Sequence, residues 1–271
     1  MSLRSPLLAL LAFAAATLGQ ADTAAVPTVE QILAGYTAAR GGAEQWARLT
    51  SMGWTGHIDE GDGKPPMLFQ MLFQRPNAQR FEVIGNNQRS VRIFDGTQGW
   101  KMHPGGELGI EVQDYGPEEI AAARDACGLD GPLSDIAAKG VQVALDGAEL
   151  VGQRRAWKLR VTVPSGSVQT HWIDAENYHE LRYDRMTHSA GDTQRVVSVY
   201  LNNYQTIEGI TLPLEIETRG ANGSMRLLIE KVAFNPTLQA NAFHRPEVPG
   251  TRKRGVLVNV PDARAEQAPR H

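Results

Sequence analysis

The chain has 271 residues, a formal net charge of −3 and a single cysteine. A nearly balanced charge, with no basic stripe and an ordinary aromatic content, argues against nucleic acid as a partner. One cysteine rules out an intramolecular disulfide, so a large buried core must hold the fold together.

The first 21 residues read as an export signal. Arg4 supplies the positive charge, Pro6 to Ala16 the apolar stretch, and Gly19-Gln20-Ala21 the small residues of a cleavage site after Ala21. The apolar run is short of the roughly 20 residues that span a bilayer. No cysteine follows it closely, so an acylated N-terminus is not expected. The expected division is a signal at 1–21, a folded domain at 22–246 and a polar, flexible tail at 247–271, in a periplasmic protein that is not lipid-anchored. Outside the cytosol nucleotide cofactors are scarce, and no cofactor is expected.

In the mature chain Thr28 can cap a first helix, with Ile32, Leu33, Tyr36 and Ala39 at helical spacing until Arg40-Gly41-Gly42 stops it. A short helical turn follows at Ala43 to Leu49. Alternation then predicts strands near 51–58, 67–73, 80–85, 89–95 and 99–103, with Asn86-Asn87 and Asp95-Gly96 as turns. Pro117-Glu118-Glu119 opens a helix running to about Cys127, whose thiol is read as a small packed hydrophobe. Gly128 to Pro132 breaks the helix, and Leu133 to Lys139 adds a further turn or two. Strands resume at 156–163, 168–174, 178–186, 195–201, 210–219 and 225–234.

Ten to eleven short strands with turns between neighbours predict a mainly β (α+β) fold. The expected form is a curved antiparallel sheet, an open half-barrel covered by the N-terminal helix and by the mid-chain helical insertion as a lid. A monomer is expected.

Catalytic signatures do not appear. Pro164-Ser165-Gly166-Ser167-Val168 lacks the framing glycines of a serine-hydrolase elbow. His179-Glu180-Leu181-Arg182-Tyr183 has tyrosine where a zinc protease needs its second histidine, so no metal site is expected. Asp59 to Gly63 lacks the spacing and closing glutamate of a calcium loop. The histidines at 57, 103, 171, 179, 188 and 244 are read as surface or edge residues. These readings point away from an enzyme, with no catalytic residue assigned.

The apolar strand faces are the better candidate. Trp54, Phe69, Met71, Phe73, Trp100, Trp157, Leu159, Trp172, Leu212 and Ile216 are expected to line a cavity between sheet and lid, with methionines suiting variable chains.

The chain resembles the periplasmic outer-membrane lipoprotein-sorting proteins, the LolA/LolB-like carriers. The resemblance rests on Ala39 to Glu44, Phe94-Asp95-Gly96-Thr97-Gln98-Gly99-Trp100 and Leu129-Asp130-Gly131-Pro132-Leu133. It extends through Gly152 to Val163, Trp172 to Glu176, Leu212 to Glu217 and Ile229 to Pro236, spanning about 29–246. It implies an open antiparallel barrel with a helical lid that carries lipid or lipoprotein acyl chains. Carriers of this kind have an arginine on an early strand that links sheet to lid, but Ser51 to Ile58 contains none, and no motif assigns Arg80, Arg89 or Arg92 to the task. The acylated cysteine of the membrane-anchored acceptors is also missing. The expected function is a periplasmic carrier that binds lipid or the acyl chains of lipoproteins in an apolar cavity between sheet and lid, with some other lipid or an envelope component fitting better than the classical sorting role. A sensor of the same fold that binds a membrane-anchored envelope protein, and an exported hydrolase without a recognisable motif, are the alternatives.

Overall fold

The computed structural model describes residues 26–61, 63–105, 109–126, 128–189, 193–221 and 223–247. The export signal, Cys127, the His188 side chain and nearly all of the tail expected at 247–271 lie outside the described residues.

The chain enters through α1 (Val29–Ala39) and α2 (Ala43–Ala47) and then forms β1 (Ser51–Asp59), β2 (Met67–Gln74), β3 (Ala78–Gly85), β4 (Gln88–Phe94), β5 (Gly99–Pro104) and β6 (Ile110–Asp114). A crossover follows, made of α3 (Pro117–Asp125), a 3-10 turn (Gly128–Asp130) and α4 (Ile136–Lys139). The second series is β7 (Gln142–Val151), β8 (Arg154–Thr162), β9 (Val168–Asp174), β10 (Glu180–Ser189), β11 (Thr193–Ile207), β12 (Ile210–Gly220) and β13 (Gly223–Phe234).

Among the described residues 13 strands join one antiparallel sheet in the order β6-β5-β4-β3-β2-β1-β13-β12-β11-β10-β9-β8-β7. The chain starts in the middle, reaches one edge at β6 by successive hairpins, crosses to the far edge at β7 and returns to lay β13 beside β1. The sheet is wider than the ten or eleven strands predicted, and the two extra strands are its two edges.

Local chemistry explains the punctuation. Thr28 Oγ1 accepts from the Gln31 amide at 3.3 Å while Gln31 Oε1 accepts from the Thr28 amide at 2.9 Å, a reciprocal cap for α1. Asn86 and Asn87 both take positive φ, as the tight turn between β3 and β4 requires. Gly41 at φ +103 ends α1, and a Cβ there would meet the Gly209 carbonyl oxygen at 2.0 Å, so only glycine lets the helix end approach the start of β12.

Antiparallel partners share a face of a sheet, so the registers divide the side chains cleanly. On the helix-side face, β1, β2, β12 and β13 contribute Met52, Ile58, Phe69, Phe73, Leu212, Leu227 and Val232 to a cluster with Trp46 and Leu129. A second cluster joins Leu159, Val161 and Ile173 to Ile32 and Tyr36 of α1 and to Leu133. On the opposite face Leu72, Val91, Ile93, Trp100 and Met102 are covered by Ala242 and Phe243 from the segment after β13.

Candidate ligand-binding site

The helix-side face carries a continuous apolar field. Register places Val232, Trp54, Met71 and Phe81 side by side across β13, β1, β2 and β3. The same row continues into Arg92 of β4, Lys101 of β5 and Gln113 of β6. Parallel rows bring Ile229, Phe69 and Val83 together, and Ile216, Leu227, Ile58 and Met67. Phe69, Ile58, Leu227 and Ile229 are buried, whereas Trp54, Met67, Met71, Phe81, Val83, Ile216 and Met225 are only half-buried. The ring of Trp54 stands edge-on to Phe73 at 5.0 Å, and Phe69 tilts against Phe81 at 6.1 Å. Trp54 Nε1 and Trp157 Nε1 are buried without a hydrogen-bond partner.

The helical elements are tied down over one end of this field by polar contacts. Arg75, at the exit of β2, donates to the carbonyls of Leu49 and Trp46 at 2.8 and 3.0 Å and to Asp130 Oδ2 at 3.0 Å. Lys139 Nζ donates to Asp130 Oδ1 at 2.6 Å, so one buried carboxylate holds two cations. Arg40 at the end of α1 donates to the Tyr36 hydroxyl, the Asp130 carbonyl and Ser134 Oγ at 2.8, 2.9 and 3.2 Å, with its guanidinium 3.9 Å from the Trp46 ring centre. Burial pushes the Tyr36 phenol well up and keeps it a neutral partner for Arg40.

Between α1 and the stretch from Leu133 to Ala137 runs a groove of about 580 Å³, lined by Leu33, Ala34, Thr37, Ala38, Ala43 and Ile136 among others. The apolar field on the sheet packs largely on itself.

Deeper on the helix-side face, His171 Nδ1 lies 2.5 Å from Glu180 Oε1 and its Nε2 lies 3.0 Å from Gln169 Oε1, with Tyr183 stacked on the ring. At 2 % exposure His171 is a satisfied interior group, which corrects its reading as a surface or edge residue. Among the described residues no cluster of three or more His, Cys, Asp or Glu side chains is placed to hold a metal ion.

Trp54, Phe69, Met71, Phe73, Leu212 and Ile216 fall in one cluster, and Trp157 and Leu159 in the second cluster of the same face. Trp100 and Trp172 do not join them, and their expected place in the cavity is corrected. Trp100 packs on the opposite face beneath Ala242 and Phe243. Trp172 is also on the opposite face, where Arg182 lies 4.5 Å from its ring and Glu149 accepts its indole N–H at 2.6 Å. Of the candidate linking arginines, Arg80 and Arg89 both grip Glu82 on the opposite face. The arginines that reach the crossover, Arg75 from the exit of β2 and Arg40 from the end of α1, were not assigned that role from the sequence because each sits at an element end, outside any periodic pattern.

No protein-family model matches the chain, and no curated protein matches its sequence. Solved structures do match its fold. A DUF1329-family protein from Desulfovibrio piger superposes with a TM-score of 0.53 at 14% identity, covering 81% of this chain and 98% of that one. A LolA-superfamily protein from Nitrosomonas europaea gives 0.53 at 12% identity, covering 80% and 98%. A domain assigned to outer-membrane lipoprotein sorting from Vibrio parahaemolyticus gives 0.51 at 14% identity, covering 80% and 96%. The fold is therefore LolA-like.

Proposed function

We propose that this protein is a carrier in the bacterial envelope that holds a lipid, or the acyl chains of a lipoprotein, on the helix-side face of the sheet. The observation that carries this reading is the half-buried set Trp54, Met67, Met71, Phe81, Val83, Ile216 and Met225 on an otherwise buried apolar floor. Three methionines in that set suit chains of varied shape. The unpaired indole N–H of Trp54 offers a donor to an ester or amide oxygen of the cargo.

The energetics favour such a role. Hiding a chain of roughly sixteen carbons contributes at most about 13 kcal/mol, at about 0.8 kcal/mol per methylene and before ordering costs. That is enough to keep an acyl chain out of water and still allow its release. In this reading α1 and the crossover act as a lid, entry takes place by displacing side chains that pack on one another in the empty protein, and no covalent step is involved. The LolA-like fold supports the same reading, because a LolA-superfamily protein and a domain assigned to lipoprotein sorting share it.

Photolabelling tests the location. A sixteen-carbon fatty acid bearing a terminal diazirine is expected to label peptides containing Trp54, Met71 and Phe81. Labelling confined to the peptides of Trp100 and Trp172, on the opposite face, would contradict it.

A further inference from the structure

We infer that the cargo is an anionic amphiphile whose phosphate or carboxylate headgroup rests against Arg92, with its acyl chain crossing Phe81 and Met71 toward Trp54. This rests on the carrier reading and names the class of molecule carried. Its basis is one row of the sheet, in which Arg92 is the direct cross-strand neighbour of Phe81 and therefore shares its face. Phe81 pairs with Met71, and Met71 with Trp54. At the usual strand spacing this places about 14 Å of apolar surface between the charge and the indole. An acyl chain lying along the row would have its polar end at the cation.

Arg92 differs from the arginines of the opposite face, which are held in ion pairs with carboxylates. On the opposite face, Arg80 and Arg89 hold Glu82, Arg182 holds Asp184, Arg219 holds Glu217 and Arg226 holds Asp59. Arg92 is exposed, and the Tyr115 phenol beside it feels its charge, as does the Glu119 carboxylate. Burial raises the Tyr115 pKa, so that phenol stays neutral and does not cancel the guanidinium charge. The nearby Glu119 carboxylate is taken by Lys101, whose Nζ lies 3.0 Å from each oxygen. Arg92 and Lys101 thus set two cations beside the Glu119 carboxylate at the start of α3. A planar guanidinium is suited to paired hydrogen bonds with phosphate or carboxylate oxygens.

Calorimetric titration of the full chain with three probes of equal chain length tests this, each kept below its micelle concentration. The probes are hexadecanoyl lysophosphatidic acid, palmitate and neutral monopalmitoylglycerol. At least one anion is expected to bind about tenfold or more tighter than the neutral probe. Preference for the first alone identifies a phosphate headgroup, preference for palmitate alone a carboxylate, and equal preference a site that reads charge only. Arg92→Gln is expected to shrink the preference to within about twofold, whereas Arg92→Lys keeps most of it and Arg89→Gln, on the opposite face, leaves it intact. Should Arg92→Gln fail to fold, the salt dependence decides: raising salt from about 50 to about 500 mM narrows the preference of the unaltered protein. A preference insensitive to both salt and Arg92→Gln overturns the inference. Equal binding of all three probes also overturns it while leaving the carrier reading standing. Failure of all three to bind removes both.

Discussion

Arg75 Nη2 donates to Asp130 Oδ2 at 3.0 Å, and this pair joins the exit of β2 to the 3-10 turn of the crossover. Lys139 holds the other oxygen of the same carboxylate, and Arg40 the backbone carbonyl of the same residue. One buried aspartate thus ties the 3-10 turn of the crossover to the sheet, to α1 and to α4. The attachment is polar at one point and apolar at Leu129 and Leu133, which sink into the two clusters of the helix-side face.

Asp130→Ala is expected to leave two cations facing each other without a carboxylate and to cost about 3 kcal/mol, since removing one partner strands the others. Denaturant titration measures the loss. Hydrogen exchange should rise at 128–141 while the central strands keep their protection. Unchanged exchange in that stretch would show that the apolar contacts alone hold the crossover.

Gly41→Ala is expected to destabilise by more than about 2 kcal/mol, because the new Cβ meets backbone in addition to the cost of a positive φ. Gly42→Ala, also at positive φ but with open space around its Cβ, carries the backbone strain alone and should lose less. Thermal melts of the two variants compare them directly, and equal losses would contradict the close approach to Gly209.

Glu82 gives a pH-dependent prediction. Burial pushes its carboxyl up, but the hydrogen bonds from Arg89 and Arg80 outweigh this and hold its pKa below the ordinary glutamate value. A lowered folded-state pKa contributes stability in full above the unfolded value of about 4.3, and that contribution is lost as pH falls through the folded pKa. Glu82→Gln is therefore expected to be less stable than the unaltered protein at neutral pH, with the gap closing in acid. A gap that does not change from neutral to acid pH would refute the assignment.

Much of the fold was legible. Strands with one wet and one apolar face, such as β12, announced themselves, and so did Thr28, Asn86-Asn87 and the glycines after α1. What was missed has physical reasons. Strand β6 is only five residues long, and β7 carries a bulge between Leu145 and Ala148, with Gly147 at φ +108, which breaks its alternation. Edge strands need less of the two-sided apolar patterning that makes central strands readable. The two tryptophans placed on the wrong face share another cause. Alternation shows which residues of a strand point together but not which side is covered. Trp100 is buried by a segment about 140 residues downstream in sequence, and Trp172 lies among the charged side chains of Lys158 and Arg182. Neither cover has a local signal.

The corrected faces make a prediction of their own. Phe81→Asp and Met71→Asp place a charge in the apolar field and are expected to lower acyl-chain affinity by about tenfold or more. Trp172→Phe should leave that affinity within about twofold, since its ring faces the other way and carries no cargo contact. Displacement of a fluorescent fatty acid measures all three. A loss in Trp172→Phe equal to that in Phe81→Asp would place the cargo on the opposite face.

Native mass spectrometry of the protein purified from the envelope without detergent, followed by organic extraction, tests the central claim most directly. The carrier account predicts a heterogeneous added mass that extracts as acyl lipid, with anionic species dominant. A bare protein that also takes up no added phospholipid or lipopeptide would contradict it and leave the helix-side face as packed core.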